Sequence, residues 1–179
     1  RTINAIISPE LVRDLSLTGA DLGLLTAAYF LSFAIFQIPI GLVLDRFGPV
    51  KVQTFLLLTA AIGAFIFATG EDKFTLILGR ALIGLGVAGG LMASFKAIVL
   101  WFPRERLPLV NSVFMTFGGL GALSATTPVE IAMAITDWRG IYTVIGISAA
   151  AIALIIFFIT PEKNEAKVTE PVWKLVKGF

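Results

Sequence analysis

Leu22-Gly23-Leu24-Leu25-Thr26-Ala27-Ala28-Tyr29-Phe30-Leu31-Ser32-Phe33-Ala34-Ile35-Phe36-Gln37-Ile38-Pro39-Ile40-Gly41-Leu42-Val43-Leu44 runs for 23 residues without a charge, and Asp45-Arg46-Phe47-Gly48 follows it at once. A hydrocarbon core about 30 Å thick takes roughly 20 residues of helix, so the run is long enough to cross a bilayer. Within lipid the backbone polar groups find no water, and a helix satisfies them inside its own segment. A membrane strand is excluded because polar and apolar residues do not alternate along the run.

Outward from this run the same reasoning finds four more. Val52 to Gly70 is uncharged over 19 residues. Phe74 to Phe102 contains Arg80 and Lys96, and Leu107 to Ile135 contains Glu130. Ile141 to Thr160 is again uncharged. The predicted spans are residues 22–44, 52–70, 74–102, 107–135 and 139–159. Only a few residues join them, so consecutive helices run antiparallel. The expected fold class is an all-α integral membrane protein, an antiparallel transmembrane helix bundle over residues 1–159. Residues 160–179 are charged and read as a cytoplasmic linker, with Val172 to Phe179 a short amphipathic surface helix.

Composition agrees. Of 179 residues, 57% are hydrophobic and 15% are charged, against about half and a quarter in soluble domains. The net charge of +2 comes with no nucleic-acid signature, so no nucleic-acid partner is expected. Cysteine and histidine are both absent. That removes disulfides, thiol chemistry, His-based triads and the commonest zinc and haem ligand. No metal and no cofactor are expected, and neither is an enzyme. Arg80, Lys96 and Glu130 offer no nucleophile–base arrangement, and the phosphate-binding pattern of an ATPase is missing. The first residue is Arg1 rather than Met, which leads us to expect a start further upstream.

The breaks between runs set orientation. One side collects Arg1, Arg13, Lys73 and Arg139. The other collects Arg46, Lys51, Arg104, Arg106, Lys163, Lys167, Lys174 and Lys177. The excess of basic residues places the second side, with the end of the chain, in the cytoplasm. Trp101 and Trp138 fall at span ends, where interfacial aromatics are expected.

The segment Gly41-Leu42-Val43-Leu44-Asp45-Arg46-Phe47-Gly48 resembles the signature loop of the major facilitator superfamily. Gly41, Asp45, Arg46 and Gly48 match it. Pro49 and Val50 stand where two basic residues belong, and Lys51 follows one place later. Arg80-Ala81-Leu82-Ile83-Gly84-Leu85-Gly86-Val87-Ala88 resembles the family's fourth-helix pattern, with Ile83 in place of a glutamine. The resemblance covers nearly the whole chain. It implies the N-terminal half of a major facilitator fold, with the spans as helices two to six and the first helix mostly missing. A C-terminal six-helix half of the same protein, a small-molecule substrate and the lipid bilayer are the implied partners, and a bacterial inner membrane the implied location. Gly41, Asp45, Arg46, Gly48 and Lys51 are then the conformational gating loop. Gly41 would allow close helix approach, Asp45 would face a helix N-terminus of the C-terminal half, and Gly48 would permit the turn. The stretch from Lys96 to Arg106 looks most like sugar-phosphate and organic-anion permeases. The drug-exporter pattern on the fifth helix is not matched, because Thr127-Pro128 replaces Gly-Pro.

Charges at membrane depth cost about 2.5–3.5 kcal/mol and so call for a partner or a function. By the rise of a helix, Arg80 lies roughly 9 Å and Glu130 roughly 8 Å below the outer surface. An Arg80–Glu130 ion pair is therefore geometrically available. A cavity-facing Arg80 would instead bind an anionic substrate through its planar fork. Tyr29 and Gln37 are further candidate substrate residues, and Glu130 is the candidate for protonation coupling. Lys96 sits about 24 Å from Arg80 along the axis and reads as a snorkelling side chain or as part of a cytoplasm-facing entrance. Gly84, Gly86, Gly90 and Gly118 read as packing or flexing positions. Pro128, with Pro39, marks a place where a helix can kink. The function expected is secondary active transport of a small solute, an organic anion, by alternating access, as symporter or antiporter. The alternatives are a non-transporting sensor with a transporter-like fold and a drug efflux antiporter.

Overall fold

A computed structural model of the chain describes residues 2–161, with side chains from residue 6 onward. The expected linker and the Val172–Phe179 helix lie outside the described residues, apart from Thr160 and Pro161. Among the described residues all regular structure is helical. The elements are α1 (Thr2–Leu15), α2 (Gly19–Phe47), α3 (Pro49–Thr69), α4 (Lys73–Val87), α5 (Gly90–Trp101), α6 (Leu107–Ser124), α7 (Thr127–Met133) and α8 (Trp138–Ile159), with a 3₁₀ turn at Arg104–Arg106.

Among the described residues five stretches are long and apolar enough to cross a membrane: Gly19–Phe47, Pro49–Thr69, Lys73–Trp101, Arg104–Met133 and Trp138–Ile159. The first begins at a capping box, in which Thr18 and Asp21 bond each other's backbone N–H groups at 2.9 and 3.3 Å. Polar caps extend helices past the end of the apolar run, because a cap satisfies the orphan N–H groups of the first turn. Asp72 does this for α4, accepting from the Thr75 N–H at 2.9 Å, and Asp137 for α8, accepting from the Gly140 N–H at 2.8 Å. Gly48 turns α2 into α3 at φ 82°, a backbone state that a glycine enters without steric cost.

Two stretches that the sequence reads as single helices are interrupted. The break between α4 and α5 falls at Ala88–Gly89. A side chain at Gly89 would strike Ile40 of α2 at 2.5 Å and Leu56 of α3 at 2.6 Å, so the bend forms where three helices crowd together. The break between α6 and α7 falls at Ala125–Thr126, just before Pro128. Proline has no N–H to continue the ladder. Pro39, by contrast, sits inside α2 without ending it.

At the centre of the bundle, α3 packs along α4 and α8, and α2 packs along α4. Close approach is set by small residues. A side chain at Gly86 would lie 2.5 Å from the Ala60 nitrogen and 2.6 Å from the Leu56 carbonyl, and one at Gly84 would strike the Tyr29 carbonyl. Gly90 is roomier, and Gly41 and Gly118 face open space. The close approach expected at Gly41 is therefore not made by the described residues. No residue of α6 is buried.

The end of the bundle bearing Lys73 is tied by polar contacts. Lys73 pairs with Asp21 at 2.6 Å, and Arg139 donates to the Ala68 and Gly70 carbonyls at 2.8 Å each. Those carbonyls end α3, where a cation also suits the helix dipole. Trp138, expected as an interfacial aromatic, is 0% exposed. Its ring lies 5.6 Å from that of Phe67, and its indole N–H donates to Asp14 at 3.2 Å. That bond, with Arg13 beside it, holds the Asp14 carboxyl below its ordinary range. Trp138 is enclosed because α1, a helix not foreseen from the sequence, folds Ile7 and Leu11 into the same cluster.

Candidate functional site

Arg80 projects from the middle of α4 and is 6% exposed. Its guanidinium carbon lies 4.3 Å from the centre of the Phe67 ring on α3 and 5.0 Å from that of Tyr142 on α8. Tyr142 is the polar side chain that engages it most strongly, and Tyr29 on α2 adds a weaker electrostatic contact. The Nε atom is buried without a hydrogen-bond partner. Side chains from three neighbouring helices thus bear on one cation, with the Phe67 and Tyr142 rings against it.

Among the described residues no carboxylate pairs with Arg80. The ion pairs among the described residues are Arg13–Asp14, Lys73–Asp21 and Lys96–Asp45. A desolvated cation–π contact is worth about 2 kcal/mol, which offsets part of the desolvation of a buried charge that costs several. The site holds net positive charge, a fork with a free donor, and phenolic hydroxyls close by. That combination suits an oxyanion, because a guanidinium edge meets two coplanar oxygens with two parallel bonds.

The expected Arg80–Glu130 pair does not form. Equal depth placed the two residues at one level of the membrane, but α4 turns Arg80 toward α3 and α8. Glu130 is exposed on α7, beyond the break at Thr126. Gln37 is exposed on α2, two turns past Tyr29 or about 12 Å along the axis, and is not brought to Arg80. Tyr29 is half-buried and stacks on Phe33 at 6.4 Å. Among the described residues no group of three or more His, Cys, Asp or Glu could hold a metal ion.

At the opposite end, Asp45, whose expected helix N-terminus belongs to the C-terminal half, has a partner on α5. Its carboxylate takes the Lys96 ammonium at 2.6 Å, which joins α2 to α5 and replaces the snorkelling expected of Lys96. The Arg46 guanidinium lies over the Phe47 ring at 5.3 Å. The Asp45 side chain is 74% exposed and that of Lys96 18%, so solvent weakens the pair. A double-mutant cycle on Asp45→Asn and Lys96→Gln is expected to give a coupling of about 0.2–1 kcal/mol in thermal unfolding. A value near 3 kcal/mol would mean that the pair is buried in the working protein.

Two contributors were not foreseen, Phe67 and Tyr142. The chain contains only two tyrosines, and both act on Arg80. That scarcity was the available signal.

A bundle of membrane-length helices folded around a buried cation is what the fold and the site define. Residues 1–178 match the Major Facilitator Superfamily, and the chain belongs to that family. It is 30% identical to the uncharacterized transporter YybO of Bacillus subtilis, over 82% of this chain and 34% of that protein. It is 26% identical to the probable sulfoacetate transporter SauU of Cupriavidus necator, over 90% of this chain and 39% of that protein. With the nitrate/nitrite transporter NrtP of a Picosynechococcus strain it shares 27% identity, over 83% of this chain and 33% of that protein. The chain spans about a third of the length of these relatives.

Proposed function

We propose that this chain is the N-terminal half of a secondary active transporter that moves a small organic anion by alternating access. The observation behind this reading is Arg80, a buried guanidinium with an unpartnered Nε and no carboxylate beside it among the described residues. A substrate carboxylate, sulfonate or phosphate supplies the missing counter-charge. Two of the named relatives are anion transporters, for sulfoacetate and for nitrate/nitrite, which supports the substrate class. Tyr29 and Tyr142 place hydroxyls beside the anion. Glu130 is the residue assigned to proton coupling, and Gln37 lines the route on α2. The loop from Gly41 to Lys51 is the gate, with Asp45 exchanging its Lys96 partner as the two halves rock. Its basic residues face the cytoplasm in a cell membrane.

The test is a thermal-shift panel on the full-length protein in detergent, followed by flux in proteoliposomes. Organic anions are expected to raise the melting temperature, since a ligand that binds only the folded state stabilises it by mass action. Neutral sugars and lipophilic cations are expected to leave it unchanged. Stabilisation by lipophilic cations alone would overturn the anion reading, and anion binding without flux would leave a sensor.

A further inference from the structure

The elbow between α5 and α6 carries a pair of arginines at the surface of the bundle. α5 closes the membrane-length stretch Lys73–Trp101, and α6 lies in the next one, Arg104–Met133. The residues between the two helices therefore sit where the apolar segments leave the bilayer. The chain reverses there through the 3₁₀ turn Arg104–Arg106, in which the Arg106 N–H donates to the Pro103 carbonyl at 3.0 Å. Pro103 precedes this turn and Pro108 stands in the first turn of α6. Each proline fixes its own φ, which stiffens the elbow on both sides. Arg104 and Arg106 are exposed and make no ion pair among the described residues, and neither does Glu105 between them. Asp45 and Lys96, at the same end of the bundle, neutralise each other.

An apolar stripe starts beside the pair. Leu109, Val113, Phe117 and Leu120 recur at the spacing of one helix face, and all four are exposed. Phe114, whose ring meets that of Phe95 on α5 at 5.7 Å, lies off this stripe. From Leu109 to Leu120 the stripe covers about 16 Å along the helix axis, close to one leaflet of a hydrocarbon core about 30 Å thick. Basic residues at the level of the headgroups attract anionic lipid, and a guanidinium fork matches a phosphate with two parallel bonds. Two such forks above an apolar stripe of leaflet length complement a phospholipid in both charge and length.

We propose that the α5–α6 elbow binds an anionic phospholipid of the leaflet at the Asp45 end. Its phosphate is held by Arg104 and Arg106, and one acyl chain lies along α6 from Leu109 to Leu120. Glu105 limits the affinity, because it sets one negative charge between two positive ones. The site is separate from Arg80, since Trp101 at the end of α5 is about 30 Å from that residue along the stretch. It stands whether or not the anion reading of Arg80 holds.

The experiment is native mass spectrometry of the full-length protein released from detergent. The protein is first incubated with equimolar phosphatidylglycerol and phosphatidylcholine of identical acyl chains. The expected result is a preference of about tenfold for phosphatidylglycerol. It should fall to near parity in the Arg104→Gln, Arg106→Gln double variant and rise about fivefold in Glu105→Gln. If the double variant does not fold, each single arginine variant serves, with an expected fall of about threefold. Arg46→Gln removes a charge from the same end of the bundle but not from the elbow, and should leave the preference unchanged. Val113→Cys, labelled after purification with a bulky maleimide in a protein otherwise free of cysteine, should reduce retention of both lipids. Equal retention of the two lipids by the unaltered protein would overturn the proposal. So would a preference that survives loss of the two arginines, or one that falls as far in Arg46→Gln as in Arg104→Gln, which would mean a general attraction to the basic face. A Val113→Cys thiol that stays closed to a membrane-soluble maleimide would overturn it too, because another part of the protein would then cover the stripe.

Discussion

Arg80→Gln is expected to reduce anion uptake at least a hundredfold while leaving the folded protein as stable as before, or more so. The two halves of this expectation come from one fact. Arg80 is buried with aromatic neighbours and no acidic partner among the described residues. A glutamine keeps much of the length and the hydrogen-bonding capacity, and it removes a charge whose burial costs several kcal/mol. Stability therefore has little to lose. Binding has much to lose, because a charge-assisted bond is worth about 1.5–3 kcal/mol and a bidentate pair about twice that. At 1.4 kcal/mol per decade, even one such bond plus part of the second exceeds a hundredfold. Arg80→Lys is expected to recover only part of the uptake, since a point charge cannot reproduce the fork. The measurement is uptake in proteoliposomes set beside the melting temperature of each variant. A large fall in melting temperature with uptake per folded molecule unchanged would make Arg80 a structural residue and remove the basis for the anion reading.

The parts legible in the sequence were those that depend on one coordinate, position along the membrane normal. Charge-free runs such as Leu22 to Leu44 announce a helix whatever its neighbours do, and all five stretches are helical. Arg80 stood out because a charge inside an apolar run is rare at any rotation. What failed needs the second coordinate, rotation about the helix axis. Arg80 and Glu130 share a depth, yet one points among α3 and α8 and the other lies exposed on α7. No period in the sequence encodes that difference, since nearly every side of α4 is apolar or small. Trp138 failed for the same reason. Its level at the start of α8 was read correctly, but its burial depends on α1 lying across it. Asp45–Lys96 spans 51 residues and joins two segments whose pairing no local pattern announces.

Helix interruptions mark a different limit. Pro128 signalled a break that occurs just before it, whereas Pro39 carried the same local signal and ends nothing. The bend at Ala88–Gly89 falls where Ile40 and Leu56 leave room for no side chain, and both lie some 30 to 50 positions away along the chain. Propensity is a local quantity and such contacts override it.

Gly86→Leu is the substitution expected to damage the fold most. The position lies where α4 crosses α3, and even a Cβ there would be 2.5 Å from the Ala60 nitrogen and 2.6 Å from the Leu56 carbonyl. These are backbone atoms, so no rotamer change relieves the clash and the helices must separate. Separation would also loosen the neighbouring contact of Gly84 with α2, because both glycines lie on the same short stretch of α4. Overpacking of this kind costs about 3 kcal/mol or more, which in a chain of this size corresponds to a fall of roughly 6–12 °C in melting temperature. Gly118→Leu provides the contrast, since nothing lies within 4 Å of the position where its side chain would begin. In the full-length protein Gly118→Leu should fold with a melting temperature close to that of the unaltered protein. If it nevertheless lost uptake, the open face of α6 would be one that another part of the transporter closes on during transport. If both substitutions lowered the melting temperature equally, the whole protein would cover Gly118 as tightly as α3 covers Gly86, and α6 would belong to the static core.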